Sequence, residues 1–521
     1  MGPSRRYLLL LALITLVAIG LRVHRLEEIN LWVDETDTFN GNVYARPPVP
    51  LLDYVTSVKA RTTQGVGWAG IVWLACQALG GTATVARLPA VVFGVAAVPA
   101  MFLLVWTVAR RGGLGNPVRA GLLAALLATV SIVQIDFSQR SMPYAPATFT
   151  AALIILAHLT VVGLLLQPSL GKLPRYAAAW AGAAIVAVFL HPGPAPLVAA
   201  SAVVLAVMAA IRFRTLPRKQ RVTLAATAAM TALALLAAAL LLGKHPGQGY
   251  RSYLDPYYHR LDLGFPAFLV SRTYDLMSYH LNLFFDQSLY WPRSLNPVTA
   301  PLVALCIWGW IRALSGRLGA PARQLALLGA CCAVLVAAMT VTRFFPYGGV
   351  RQTLMLSPFV LAFAALGGES LCSHRWGRAL SLAAAAIYLF AWSFHLPHFY
   401  EARITPYRAS ELVDIWNRNG KLPFLTEPMS LEAIRYALRN HPQVNVDEFS
   451  ENTRTPFLWI SGHWSARDSL WSGDLEQRLA ELGHKLELLV ERQAAYPAHQ
   501  DYVQSLYFPP NGLWIYKVTP N

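Results

Sequence analysis

The sequence has few charged residues for its length. Asp, Glu, Lys and Arg make up 13% of the 521 residues, 55% are hydrophobic, and the mean hydropathy is +0.42. A soluble globular protein is usually about 25% charged. The shortage of charge excludes an ordinary soluble protein. Together with repeated apolar runs of about 20 residues, it predicts a polytopic α-helical membrane protein.

Cysteine and metal-ligand patterns are also scarce. The five cysteines have no CxxC spacing and lie inside or at the edge of apolar runs, at positions 76, 306, 331, 332 and 372. This arrangement excludes a disulfide framework and a cysteine zinc site. No other spacing resembles a zinc or calcium site, so we expect no cofactor and no metal. A divalent ion held by Asp34, Glu35 and Asp136 is the variant that stays open.

Acidic residues are almost missing from the short loops between apolar runs, where basic residues collect. The formal net charge is +16, and most of the excess lies in segments such as "RRGGLGNPVR" from 110 and "RFRTLPRKQR" from 212. This is the positive-inside pattern of cytoplasmic loops. The charge therefore predicts membrane orientation and does not indicate a nucleic-acid partner.

With these loops in the cytoplasm, the apolar runs predict about 11 spans that begin inside and end outside. The spans fall near 7–23, 86–108, 119–135, 145–167, 177–190, 195–211, 222–242, 298–315, 323–341, 350–367 and 378–395. The first run is interpreted as an uncleaved span because no small-x-small cleavage site follows it.

Two further apolar segments predict interfacial helices. Segment 66–81 has about 15 apolar residues, fewer than the roughly 20 needed to cross, so we expect it to lie in the interface or to dip in and out. The middle of 243–297 is amphipathic and rich in Tyr, Arg and His. It predicts a helix with its aromatic residues at headgroup level.

The composition changes at about residue 396. Residues 1–396 form the membrane domain, whereas 397–521 have ordinary soluble composition. There, helical patterns ("ASELVDIWNRNG", "SLEAIRYALRN", "LEQRLAELGH") alternate with strand-like runs ("LPFLTE", "TPFLWISG", "KLELLVE", "GLWIYKV"). This predicts a small C-terminal α/β domain, which the topology places outside the cytoplasm.

Several motifs in the predicted outer loops resemble the GT-C glycosyltransferases. An N-terminal span, "LWVDET" in the first outer loop, an apolar near-span and then "GGTATVARLPAVVFGVAAVPAMFLLVW" are similar to the protein-mannosyltransferase-like (family 39) branch, which itself resembles the lipid A aminoarabinose transferase. The likeness extends over 1–395 and is specific at 31–38, 80–93, 134–145, 186–196 and 346–356.

The resemblance implies a GT-C-like fold and inverting transfer of a sugar from a polyprenyl-phosphate donor to an acceptor hydroxyl outside the cytoplasm. In this transfer reaction, Asp34 would be the general base. A carboxylate next to the attacking hydroxyl contributes roughly 10²–10⁴-fold. Glu35 would orient the loop or a substrate hydroxyl. Asp37 would be either a second substrate contact or a helix cap.

The leaving phosphate needs a cation at the membrane surface. Arg351 in "PYGGVRQTLML" opens a span after two glycines and could grip phosphate bidentately or snorkel to lipid headgroups. Arg140 and Arg343 are weaker candidates, and Arg140 is displaced from the family's position in "RSMPY". Asp136 would either pair with Arg140 or help to hold the phosphate end of the donor.

Three ring-bearing residues complete the predicted site. His191 in "FLHPGP" is either a helix-end residue or a substrate contact. Tyr144 and Tyr347 would stack on sugar or isoprenoid, or anchor at the interface.

The expected partners are a polyprenyl-phosphate sugar, an unidentified protein, lipid or glycan acceptor, and membrane lipids. The expected location is a bacterial inner or plasma membrane, with the active site and the C-terminal domain outside the cytoplasm. A transporter or flippase of a lipid-linked sugar and a non-catalytic membrane protein are the alternative functions. A transporter is disfavoured because the spans carry little mid-membrane charge.

Overall fold

The computed structural model describes most of the membrane region and part of the C-terminal region. The described residues are 5–29, 35, 49–61, 65–166, 172–213, 215–242, 264–281, 299–341, 345–348, 351–373, 375–401, 408–426, 431, 434–435, 437–438, 440–448, 455–461, 484–492 and 513–520. They fall into two compact units. The first comprises 1–24 and 43–393, and the second comprises 25–42 and 394–521.

The first half of the membrane region is helical. Its helices are α1 (Arg5–Val23), α2 (Leu51–Arg61), α3 (Val66–Leu79), α4 (Ala83–Arg111), α5 (Pro117–Val130), α6 (Ile132–Ser138), α7 (Tyr144–Leu165), α8 (Leu173–Leu190) and α9 (Ala195–Phe213). Side chains cap the starts of α4 and α5. The Thr82 hydroxyl accepts a hydrogen bond from the Val85 amide, and the Asn116 side-chain oxygen accepts one from the Arg119 backbone amide.

The remaining described helices lie between residues 218 and 418. They are α10 (Arg218–Leu242), α11 (Phe265–His280), α12 (Ala300–Leu314), α13 (Ala320–Val341), a 3₁₀ helix (Arg351–Leu356), α14 (Ser357–Leu371), α15 (Arg375–Glu401) and α16 (Ala409–Arg418). A helix lies at each predicted span. Seven of the described helices are long and apolar enough to cross a membrane, and the bent pair α5–α6 makes eight. The chain is therefore an integral multi-pass membrane protein.

Small residues let the helices of the first unit pack closely. Its core runs through α4, α5, α7, α8, α12, α13 and α14 and is rich in alanine. At one end of this unit the basic loops meet: a Cβ on Gly319 would lie 2.5 Å from the Gly112 backbone, and Arg119 forms an ion pair with Glu369. We call this end, where α4, α12 and α14 finish, the basic end.

The second unit contains a five-stranded mixed sheet. The strands are β1 (Phe424–Thr426), β2 (Val446–Glu448), β3 (Phe457–Ser461), β4 (His484–Arg492) and β5 (Leu513–Pro520), in the order β2-β1-β3-β5-β4. β1 pairs in parallel with β2 and β3, and β5 is antiparallel to β3 and β4. The helix α16 packs its buried Leu412, Ile415 and Trp416 inward. The predicted α/β composition of this region is confirmed.

Two helical patterns of the C-terminal region have different outcomes. Within "SLEAIRYALRN", residues 431, 434, 435 and 437 are helical among those described. The pattern "LEQRLAELGH" lies outside the described residues.

Candidate functional site

A sharp bend between α5 and α6 organises the end of the first unit opposite the basic end. The two helices differ in direction by 60°, with Ser131 between them. The Ser131 amide donates to the Leu127 carbonyl at 3.0 Å, and the Ser131 hydroxyl accepts from the Gln134 amide at 3.5 Å. One serine therefore ends α5 and caps α6. We call this end of the unit the polar end, because residues 131–142 are all buried there and seven of these twelve residues are polar or charged.

The carbonyl groups that the bend leaves without helical partners are satisfied by side chains from distant helices. The Arg22 guanidinium of α1 donates to the Ala128 carbonyl at 2.9 Å, and the Trp392 indole of α15 donates to the Val130 carbonyl at 3.0 Å. Arg22 is 1% exposed. A cation at a helix C-terminus is favourable for both the free carbonyls and the helix dipole, so Arg22 holds the bend.

α6 in turn supports the end of α1. The Gln139 amide group donates to the Leu21, Arg22 and His24 carbonyls at 3.2, 3.2 and 3.0 Å. The Ser138 hydroxyl accepts from Arg22 at 3.2 Å. A Cβ on Gly94 of α4 would lie 1.9 Å from that hydroxyl oxygen, so this close approach needs glycine. The end of α1, from which the acidic loop leaves, is thus fixed to α6.

Two of the predicted site residues form a buried ion pair. The Arg140 Nε atom lies 3.0 Å from each carboxylate oxygen of Asp136, and the side chains are 4% and 5% exposed. The pairing that the i,i+4 spacing allowed is therefore present. The cation of Arg140 is balanced within the protein, which makes it less suited to bind a phosphate than an arginine with no carboxylate beside it.

Two further predicted residues meet across different helices. The rings of Tyr144, at the start of α7, and His191, at the end of α8, lie 5.0 Å apart at 79°. Phe137 of α6 packs edge-on against Tyr144 at 4.9 Å. The His191 ring also lies over Gly193, where a Cβ would be 3.1 Å from Nε2. The polar end thus has an aromatic wall built from three segments.

The short helix α3 begins beside this wall. The Trp68 indole donates to the Ser141 carbonyl at 3.4 Å. A Cβ on Gly65 would lie 2.3 Å from the Leu190 carbonyl oxygen, and one on Gly67 would lie 2.3 Å from the Phe189 ring. α3 has 14 residues and is shorter than the helices that can cross, in line with the expectation for 66–81. Because Gly65 and Gly67 have no side chains, α3 can start close to the end of α8.

Three later segments of the chain also reach the polar end: α11, the residues around Tyr347 and the start of α14. The Gln134 amide group donates to the Ser357 hydroxyl at 2.9 Å, and the Ser131 hydroxyl donates to the His280 carbonyl at 3.2 Å. Tyr347 is 1% exposed, and its hydroxyl lies 2.8 Å from the Thr273 hydroxyl of α11. Tyr347 therefore contacts α11 within the protein, and a role in stacking on substrate stays a prediction.

His280 is an ionisable side chain at this end that the sequence did not single out. It closes α11 and is fully buried, with its ring 5.2 Å from that of Tyr279. Burial lowers the pKa of His280 to about 3, because the charged imidazolium loses its hydration. The ring is therefore neutral at physiological pH and can act only as a neutral hydrogen-bonding group.

The rest of the predicted site lies partly outside the described residues. This holds for Asp34, Asp37 and Arg343. Arg351 opens the 3₁₀ helix that packs on α7 and α14, and its side chain is not among those described. Glu35 is helical, fully buried and part of the second unit. Among the described residues, no three His, Cys, Asp or Glu side chains lie together as a metal site would require.

Comparison with known proteins gives a result at the level of structure. No protein-family model matches the sequence, and no curated protein sequence matches it. The crystal structure of ArnT from Cupriavidus metallidurans bound to undecaprenyl phosphate is similar over 99% of this chain and 98% of that chain, with 12% sequence identity and a TM-score of 0.52.

Two other structures are similar at comparable identity. ArnT from Cupriavidus metallidurans in the apo state is similar over 97% of each chain, with 11% identity and a TM-score of 0.50. The oligosaccharyltransferase from Archaeoglobus fulgidus, in complex with zinc and sulfate, is similar over 84% of this chain and 62% of that chain, with 11% identity and a TM-score of 0.49. The ArnT likeness shows that the chain has the GT-C fold, and the fold expected from the sequence is confirmed.

Proposed function

We propose that this chain, a membrane protein with the GT-C fold, transfers a sugar from a polyprenyl-phosphate donor to an acceptor hydroxyl. The observation that carries the proposal is the likeness to ArnT over nearly the whole of both chains, because that structure contains undecaprenyl phosphate. The acidic motif "LWVDET" follows α1 in the sequence after seven residues, and the end of α1 is bound to α6 at the polar end.

In the proposed reaction, Asp34 takes the proton from the acceptor hydroxyl while the hydroxyl oxygen attacks the anomeric carbon of the sugar. The bond to the lipid phosphate breaks as the new bond forms on the opposite side, so the anomeric configuration inverts. The lipid phosphate is already a good leaving group. The protein therefore has to position two substrates and accept one proton. Glu35, adjacent in sequence, orients the loop, and Asp37 contacts substrate or caps a helix.

The phosphate would be held by Arg351, which follows two glycines and opens the 3₁₀ helix. Because Arg140 is already paired with Asp136, Arg351 is the better candidate, and Arg343 stands second. Asp136, Arg140, Tyr144 and His191 would then shape the wall of the site. No step in this scheme requires a metal.

The side of the membrane on which we place the reaction follows from the positions of the basic loops. The basic end carries the loops that the positive-inside rule assigns to the cytoplasm, and the polar end lies at the opposite ends of the same helices. The reaction and the second unit would therefore be outside the cytoplasm, at a bacterial plasma membrane. The acceptor would be a protein, lipid or glycan hydroxyl on that side.

The proposal is tested by sugar transfer in vesicles containing the purified full-length protein. Undecaprenyl phosphates carrying different radiolabelled sugars are offered with a membrane extract as the source of acceptor, and label in the acceptor fraction is measured. We expect Asp34→Asn to reduce transfer about 100-fold or more, since general bases contribute roughly 10²–10⁴-fold. The control is Glu27→Gln, which neutralises an exposed carboxylate seven residues before Asp34. This variant should transfer sugar at the wild-type rate.

Two outcomes would contradict the proposal. Normal transfer by Asp34→Asn would show that another group is the base. Movement of labelled donor across the bilayer by the wild type, with no transfer to any acceptor, would favour the transporter.

A further inference from the structure

A cavity of about 620 Å³ lies within the first unit, away from the polar end. It lies between α7, α8, α9 and α10, and every residue that lines it is apolar except Arg221. Most of the lining residues come from the halves of these helices nearest the basic end, and the full set is Val161, Ala177, Trp180, Ala202, Val203, Leu205, Ala206, Ala209, Ala210, Arg221, Leu224, Ala225, Ala228 and Ala232.

The wall of the cavity is fixed by buried hydrogen bonds. The Trp180 indole donates to the Ser201 hydroxyl at 2.9 Å, and the His158 Nδ1 atom lies 2.7 Å from the same hydroxyl. All three residues are buried. The polar atom of Trp180 is therefore satisfied within the protein, and its ring is held in place as an apolar wall.

Among the described residues of α8, α9 and α10, the charged ones near the end of the cavity at which Arg221 lies are all cations. Lys172 directly precedes α8 and Arg175 lies in its first turn, Arg212 lies in the last turn of α9, and α10 begins with Arg218 and Lys219. The sequence from 172 to 242 contains no Asp or Glu. The Arg212 guanidinium donates to the Leu166 carbonyl at 3.1 Å, and Arg221 Nε donates to the Leu216 carbonyl at 2.8 Å. These bonds hold the helix ends, and their charges, at the mouth of the cavity.

The length of the cavity matches one leaflet. Its lining on α10 extends from Arg221 to Ala232, which is about 16 Å at 1.5 Å per residue. Half of the hydrocarbon core of a bilayer is about 15 Å. An acyl chain of a phospholipid in the leaflet at the basic end would therefore fill the cavity when its phosphate is at the level of Arg221.

We propose that this cavity is a binding site for an anionic phospholipid, with one acyl chain between α7, α8, α9 and α10 and the headgroup phosphate on Arg221. Charge complementarity selects an anionic headgroup, because six of the described residues at these ends of α8, α9 and α10 are cations and the sequence from 172 to 242 contains no carboxylate. Arginine binds phosphate oxygens through charge-assisted hydrogen bonds. The lipid would bind whether or not the chain transfers a sugar.

The test is lipid retention by the purified full-length protein, measured by native mass spectrometry with phosphatidylglycerol or phosphatidylcholine. We expect phosphatidylglycerol to be retained more strongly. Arg221→Gln should weaken its binding about tenfold, because the variant loses a charge-assisted hydrogen bond to the phosphate. Ala206→Phe should block binding by filling the cavity.

Matched variants separate the site from general charge and lipid contact. Arg323→Gln removes an exposed cation from α13, which contributes no residue to the cavity lining, and Val207→Phe adds a ring at a residue that is 53% exposed and does not line the cavity. Both should retain phosphatidylglycerol within threefold of the wild type. Three outcomes would overturn the proposal. The wild type could retain the two phospholipids equally, or either Arg221→Gln or Ala206→Phe could retain phosphatidylglycerol as the wild type does. The third is displacement of phosphatidylglycerol by equimolar undecaprenyl phosphate.

Discussion

At the residue scale, the polar end contains charged side chains that stabilise the fold by binding other groups of the protein. Arg22 binds the carbonyl groups released by the bend, and Arg140 binds Asp136. A buried cation without a partner costs several kcal/mol in desolvation, so each of these arginines is stable only because its partners are in place. These contacts make the polar end rigid before any substrate arrives.

The Asp136–Arg140 pair gives a stability prediction. Asp136→Asn should lower the free energy of unfolding by about 3–5 kcal/mol, because it leaves the Arg140 cation buried without its counter-charge. The measurement is the midpoint of denaturant unfolding in detergent. The double variant Asp136→Asn/Arg140→Gln should recover part of the loss, since it removes the unbalanced charge.

The control for this prediction is an exposed pair of the same kind. Arg25 and Glu28 lie 2.6 Å apart, with side chains that are 32% and 50% exposed. Glu28→Gln should cost less than about 1 kcal/mol, because exposed ion pairs contribute little. Equal effects of Asp136→Asn and Glu28→Gln would show that burial does not decide the strength of the pair.

At the element scale, α12 and α14 cross at two glycines. A Cβ on Gly367 would lie 2.1 Å from the Leu305 carbonyl oxygen, and one on Gly309 would lie 2.1 Å from that of Phe363. Both obstacles are backbone atoms, which cannot rotate away. The helices can therefore approach this closely only without side chains at the crossing.

Gly367→Ala should destabilise the protein by about 1–3 kcal/mol, because the added methyl group must push two helices apart. Thermal unfolding in detergent, followed by circular dichroism, measures the effect. Gly182→Ala is the matched control, since a Cβ on Gly182 of α8 meets nothing within 4 Å. A loss of stability in Gly182→Ala as large as in Gly367→Ala would refute the argument from close crossing.

Elements were predictable from the sequence where the signal is local. The helix at 265–280, the helix at 409–418 and the strands β1, β3, β4 and β5 all follow from residue patterns. β2 is only three residues long and carries too little pattern to be recognised. The pairing of Asp136 with Arg140 was foreseeable because the two residues are one helical turn apart.

The bend at Ser131 was not predictable, because its causes are distant in sequence. A single span at 119–135 was expected, whereas α5 ends at Val130 and α6 leaves at 60°. Arg22 and Ala128 are 106 residues apart, and Gln134 and Ser357 are 223 apart. A serine within an apolar run gives no local signal for a break, so only the folded contacts reveal it.

At the scale of the whole molecule, the distribution of charge predicts the orientation in the membrane. Arg317, in a loop at the basic end, and Glu487, on β4 of the second unit, are both exposed. If the basic loops are cytoplasmic, Arg317→Cys should react with a membrane-impermeant thiol reagent only after the cells are permeabilised. Glu487→Cys should react in cells whose plasma membrane is intact.

The wild type, labelled in parallel, reports the background from the five native cysteines, of which Cys331 is exposed. Labelling of Arg317→Cys in intact cells, with protection of Glu487→Cys, would reverse the proposed orientation.

The second unit is assembled from two pieces that are far apart along the chain. Residues 25–42, which include the acidic motif, belong with 394–521, although about 350 residues of helical membrane protein separate them. During synthesis the N-terminal piece cannot complete the second unit until the C-terminal piece has left the ribosome. A truncated or half-made chain can therefore insert its helices while its acidic loop still lacks its folding partner, so that the proposed activity would begin only when the whole polypeptide is finished.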